Sequence, residues 1–115
     1  MAVPEVTIET LKAAMTNIVT ALNTPENAQK LSEAKERSGN DVLKMMQIVF
    51  PIVMQVQMDV IKNYGYPEGR EGITCFVQQV RKLELMNAEI RQLNTQVRSY
   101  FLPWLKDNSA MDLSP

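Results

Sequence analysis

The chain contains no histidine. That absence removes Ser/His/Asp and Cys/His nucleophile activation, the HExxH zinc site and the Glu-x-x-His ligand set of di-iron bundles. Cysteine occurs once, at Cys75, so an intramolecular disulfide and a cysteine cluster for a metal are excluded, and the lone thiol suits a reducing compartment. Gly65, Gly69 and Gly72 match neither GxGxxG nor a P-loop, and they read as turn residues. Net charge is nearly absent too: 12 basic against 13 acidic side chains leave −1, and so small a charge draws the chain to neither nucleic acid nor an anionic membrane. Arg81, Lys82, Arg91 and Arg98 are interleaved with Glu84 and Glu89, the pattern of a solvated mixed face. The opening MAVPEVTIET lacks a basic stretch followed by an apolar one, so no secretory signal is expected and the cytoplasm is the expected location. Carboxylates and lysines remain, but nothing in their spacing marks a group with a perturbed pKa. No enzyme, no cofactor and no metal are expected.

What is present is apolar and helical. At 115 residues the chain is long enough for one domain with its own core, here taken as 1–105 followed by a flexible tail over 106–115. From Met45 to Met58 no side chain is charged. This run makes about four turns of helix, short of the ~20 apolar residues that a bilayer span needs, and it contains Gln47, Gln55, Gln57 and Pro51. It is therefore either the spine of a helical domain or a surface that another protein covers.

Helical spacing organises the rest. Thr7 caps a first helix whose stripe is Ile8, Leu11, Met15, Ile18, Val19 and Leu22. Thr24-Pro25-Glu26 restarts the chain with a capping hydroxyl, a proline at the first helical position and an acid at the positive end of the dipole. Beyond it, Leu31, Ala34, Ser38, Val42, Met45 and Val49 keep one phase through Gly39. That continuity favours a single long helix weakened near Gly39; the alternative is a Gly39 cap with Asn40 or Asp41 starting a new helix. Pro51 implies a kink, and Gly65 a left-handed stop after Tyr64. Tyr66 to Gly72 reads as a loop, Ile73, Phe76, Val77 and Val80 as a further helix, and Asn87 as the cap of a last one with Ile90, Leu93, Val97 and Phe101 on its stripe. The expected fold is all-α, a single-domain bundle of four to five helices around a long, Pro51-kinked central helix.

On a helical wheel the apolar residues of the charge-free run cover roughly 200°, about twice what an amphipathic surface helix offers its core. One neighbour cannot cover that arc, so it is either wrapped on several sides or left partly open. Four of the chain's eight methionines, Met45, Met46, Met54 and Met58, lie in it, a residue type that serves both irregular cores and adaptable binding surfaces. The candidate partner-binding residues are Met46, Phe50, Met54, Gln57, Met58, Tyr64 and Tyr66. The reading this supports is a non-catalytic adaptor or small subunit of a cytoplasmic complex, homo- or hetero-oligomeric, binding a protein through the Met45 to Met58 segment. The alternative is a carrier of a small apolar ligand between methionine-rich helices.

The residues also resemble a known family. Pro25-Glu26-Asn27-Ala28, Asn40-Asp41, Lys44-Met45, Gln47, Pro51, Gln55, Gln57 and Val60-Ile61-Lys62 closing on Tyr64-Gly65 are similar to the pattern of the small eukaryotic protein C-ten family. Glu71-Gly72, Glu89-Ile90 and Phe101-Leu102-Pro103 continue the likeness, which spans roughly residues 10 to 103. The resemblance implies a short cytoplasmic helical protein with no assigned catalytic activity and a role in development, in vertebrates that of the brain. It carries over no catalytic or ligand residues.

Overall fold

The computed structural model describes residues 7–100. Within them the chain forms five α-helices, α1 (Ile8–Leu22), α2 (Pro25–Ser38), α3 (Val42–Ile61), α4 (Gly69–Glu84) and α5 (Ala88–Arg98), with a 3-10 turn over Lys62–Tyr64 after α3. Phe101, the proposed domain end at residue 105 and the tail over 106–115 lie outside the described residues.

The starts follow the capping logic of the sequence. Thr7 Oγ1 accepts from the Thr10 amide at 3.0 Å, Thr24 Oγ1 from Asn27 at 3.4 Å with Pro25 next in the chain, and Asn87 Oδ1 from Ile90 at 3.1 Å, each satisfying a helix-start donor that lacks an intrahelical acceptor. Gly65 stops the 3-10 turn at φ +92°.

The expectation of one long helix through Gly39 is corrected. Gly39 lies at φ +59°, ψ −131°, a region open essentially to glycine alone, and Asp41 begins a separate helix by accepting from the amides of Leu43 (2.9 Å) and Lys44 (3.3 Å). Packing gives the reason. Leu31 and Ala34 are the only buried apolar side chains of the polar helix α2, and they leave water only if α2 folds back on α3, which it does. A continuous helix holds the two segments apart. Val42, placed in the stripe by the continuous reading, is exposed.

α4 starts at Gly69, inside the segment read as a loop. Gly72 lies in its first turns, where an added Cβ would sit 1.8 Å from the Pro67 carbonyl oxygen, so the absence of a side chain lets the 66–68 segment lie flat on the helix.

α3 packs against α1, α2 and α4, and α5 closes the arrangement by packing on α1 and α4. Thus α1, α3, α4 and α5 surround one core, and α2 lies outside this ring on α3. The ion pair Lys12–Glu89 (3.2 Å) and the Tyr100 hydroxyl donating to Asn23 Oδ1 (2.5 Å) join the two ends of α1 and α5, so these helices run in the same direction. Leu11, Met15, Ile18, Val49, Val53, Ile61, Phe76 and Ile90 are fully or almost fully buried in the centre.

Candidate docking surface

α3 is the spine, and the question is how much of its wide apolar arc its neighbours cover. The middle of the arc is closed: Met45, Val49, Val53 and Val56 are buried. One flank, Leu43, Met46, Phe50 and Met54, recurs at three- and four-residue spacing and so forms one line along the helix. Coverage along that line is uneven. Leu43 is 66% and Met46 39% exposed, Phe50 and Met54 are half-buried, and beyond them Gln57 and Ile61 are buried. The open part of the arc is therefore the N-terminal half of this flank.

Opposite it lies α4, with Phe76 and Val80 buried and Val77 exposed. Between the two helices runs a groove of about 390 Å³, closed at its base by Val97 of α5 and edged by Arg81, Glu84 and Arg98. Its walls are apolar and its rim charged, the arrangement of a contact patch with a polar border. A second hollow of about 470 Å³ lies between α2 and the other flank of α3. Its lining mixes apolar side chains with charged and amide groups that pair among themselves: Gln55 Nε2 donates to Asp59 Oδ1 at 3.1 Å and Lys30 pairs with Glu26 at 3.5 Å.

The seven residues singled out from the sequence divide. Phe50 and Met54 come together as one wall of the groove, and Met46 lies on the same line of α3 but outside the groove lining, exposed at 39%. Gln57 is 7% exposed and its Nε2 donates to Met54 Sδ at 3.5 Å, so it holds the inner end of the wall in place; among the described residues no buried side-chain nitrogen or oxygen lacks a hydrogen-bond partner. Met58 is half-buried against the core. Tyr64 faces α1, its hydroxyl accepting from Asn17 Nδ2. Tyr66 is internal at 4% exposure, edge-on to Phe76 with ring centroids 5.6 Å apart, its hydroxyl donating to Gln79 Oε1. Burial, then the nearby Cys75, pushes the Tyr66 phenol above its ordinary range. Leu43 and Val77 were missed. Val77 was detectable, because Phe76 and Val77 are consecutive on a helix and cannot both face one core.

Among the described residues no group of cysteine and carboxylate side chains could hold a metal ion, and no helix is long and apolar enough to cross a membrane. The groove offers apolar area, two guanidinium groups and a carboxylate, with no nucleophile and base held together.

The sequence pattern of the family described as Protein C10 matches residues 7–114. The chain belongs to the Protein C10 family. Its Protein C10 relatives include those of Xenopus laevis, 35% identical over 96 residues (84% of this chain, 75% of the relative), and Danio rerio, 35% identical over 100 residues (87% and 82%). The Protein C10 of Homo sapiens is 36% identical over 95 residues (83% and 75%). No solved structure matches. The Protein C10 match spans every helix described above, including both walls of the groove.

Proposed function

We infer that the protein is a non-catalytic adaptor or small subunit of a cytoplasmic complex, which takes up an amphipathic helix of a partner protein along the α3–α4 groove. The observation that carries this reading is the uneven cover of α3: a line of apolar side chains at helical spacing, Leu43, Met46, Phe50 and Met54, that the chain's own helices leave open at one end. A partner helix presenting residues at i, i+3, i+4 and i+7 fits such a line, and each 100 Å² of apolar surface it covers contributes on the order of 2.5 kcal/mol before ordering costs. The rim charges Arg81, Glu84 and Arg98 set its register.

The test uses side chains that the fold does not need. Leu43→Asp with Met46→Asp is expected to abolish stoichiometric recovery of the partner from cytoplasm and its binding in a titration with purified components, with the circular dichroism unchanged. Leu85→Asp, at a position 82% exposed and outside the groove lining, should retain binding. A monodisperse chain with no stoichiometric partner, or loss of binding in the Leu85 control alone, would count against the adaptor.

A small apolar ligand is the second reading. It is favoured by the groove's volume, which lies within the range of ligand sites. Native mass spectrometry of the purified chain then shows a bound small molecule, and a clean apo mass argues against it.

A further inference from the structure

We propose that the inner half of the α3–α4 groove is the docking site of the chain's own segment Phe101-Leu102-Pro103-Trp104-Leu105. The exit point of that segment is fixed. Tyr100, the residue before it, donates its hydroxyl to Asn23 Oδ1 at 2.5 Å, and its ring lies 5.8 Å from Lys35 Nζ, so the end of α5 is held to α1 and α2. Three and two residues earlier, Val97 and Arg98 already line the groove. Pro103 has no amide hydrogen and disfavours a helix through that segment.

Reach and composition agree. The floor from Phe50 to Gln57 is about 10 Å long at 1.5 Å per residue, and five residues in extended form cover about 17 Å. All five are uncharged and apolar, whereas Lys106 and Asp107 follow at once, so the apolar stretch ends where the charged rim would begin. The segment would cover Phe50, Met54 and Val77 and leave Leu43 and Met46 bare. It deepens the adaptor reading, on which the regulatory consequence rests: a partner helix entering the groove displaces the segment, which thereby acts as an internal competitor.

The chain supplies its own reporter, since Trp104 is its only tryptophan. In the dilute, partner-free protein Trp104 is expected to emit blue-shifted from exposed indole and to resist quenching by iodide, independently of protein concentration. Val77→Glu, at an exposed helical position, and Leu105→Asp, beyond the described residues, should each shift the emission red and increase quenching, with helix content unchanged; Leu85→Glu should change neither. Emission and quenching of exposed indole in the unsubstituted chain would overturn the proposal, as would protection that disappears on dilution, which assigns the cover to a second copy. Protection that survives both Val77→Glu and Leu105→Asp would place the indole elsewhere and would also overturn it. Because no partner enters this measurement, the segment's docking and the adaptor reading fail independently.

Discussion

Tyr66 shows how one residue of an apparent loop becomes part of the core. Its ring meets Phe76 edge-on and its hydroxyl has Gln79 as acceptor, so the chain between α3 and α4 is tied to α4 from the inside, while Gly72 allows the Pro67 carbonyl to approach the helix. An aromatic next to glycine and proline is the composition of an exposed turn, which is why the sequence suggested a contact residue here; the T-shaped pair depends on where α4 lies, and spacing along the chain does not encode that. The raised phenol pKa, caused first by burial and then by Cys75, has a consequence for stability. Above pH ~10 the unfolded chain releases this proton while the folded chain keeps it. With more protons bound in the folded state, stability falls as pH rises from that point toward the folded value. Tyr66→Phe is expected to lower stability at neutral pH by about 1 kcal/mol, the net worth of a hydrogen bond, and to flatten the alkaline loss. Urea unfolding at pH 7 and across the alkaline range measures both; an alkaline slope equal in the two proteins would sink the assignment to Tyr66.

At the scale of elements, the start of α3 is the critical point. Asp41 holds two amides of its first turn, and the flank that begins there is the least covered part of the spine. Asp41→Ala is expected to cost about 1 kcal/mol in urea unfolding and to speed amide hydrogen exchange selectively at Leu43 and Lys44, which carry Leu43 and Met46 into place; uniform acceleration along α3 would show that the cap does not act locally. Much at this scale was legible in the sequence. Thr7, Thr24-Pro25 and Asn87 start helices where their chemistry says they should, and the stripes of α1, α4 and α5 supply the core. The break at Gly39 was legible only as the alternative to a long helix, because the apolar phase continues across it: Leu31, Ala34 and Ser38 before it, and Met45 and Val49 after it, are all buried. Phase reports which side of each segment is covered, but not whether a single neighbour covers both. Only the return of α2 onto α3 decides between a long helix and a hairpin, and the isolated positive-φ glycine is the local sign of it.

For the whole molecule, the wide arc of α3 is explained by its position between three helices, and the part left open follows from how the ring closes. α5 packs mainly on α1 and α4, and Leu43 and Met46 stay exposed among the described residues. The width of the arc could be read from the sequence; the uncovered sector could not, since it depends on which helices touch. The closure rests on the packing of α5, with Ile90 and Val97 buried, and two polar contacts join the ends of α1 and α5. Lys12–Glu89 is an ion pair with the carboxylate largely in water, the kind that contributes little. Tyr100 combines a hydrogen bond to Asn23 with a cation–π contact to Lys35, about 0.5–1.5 and 0.5–1 kcal/mol respectively. Tyr100→Ala is therefore expected to loosen the end of α5 more than Lys12→Ala loosens its start. Amide exchange should accelerate at Val97, Arg98 and Ser99, with Tyr100→Phe intermediate because it keeps the ring over Lys35 and loses the hydroxyl. Protection of Val49 and Val53 should stay at its original level in all three variants, since neither contact touches α3. If exchange in α3 accelerated together with that of α5, the two helices would open as one cooperative unit, and the groove between α3 and α4 could not be altered at its α5 end without unfolding the spine.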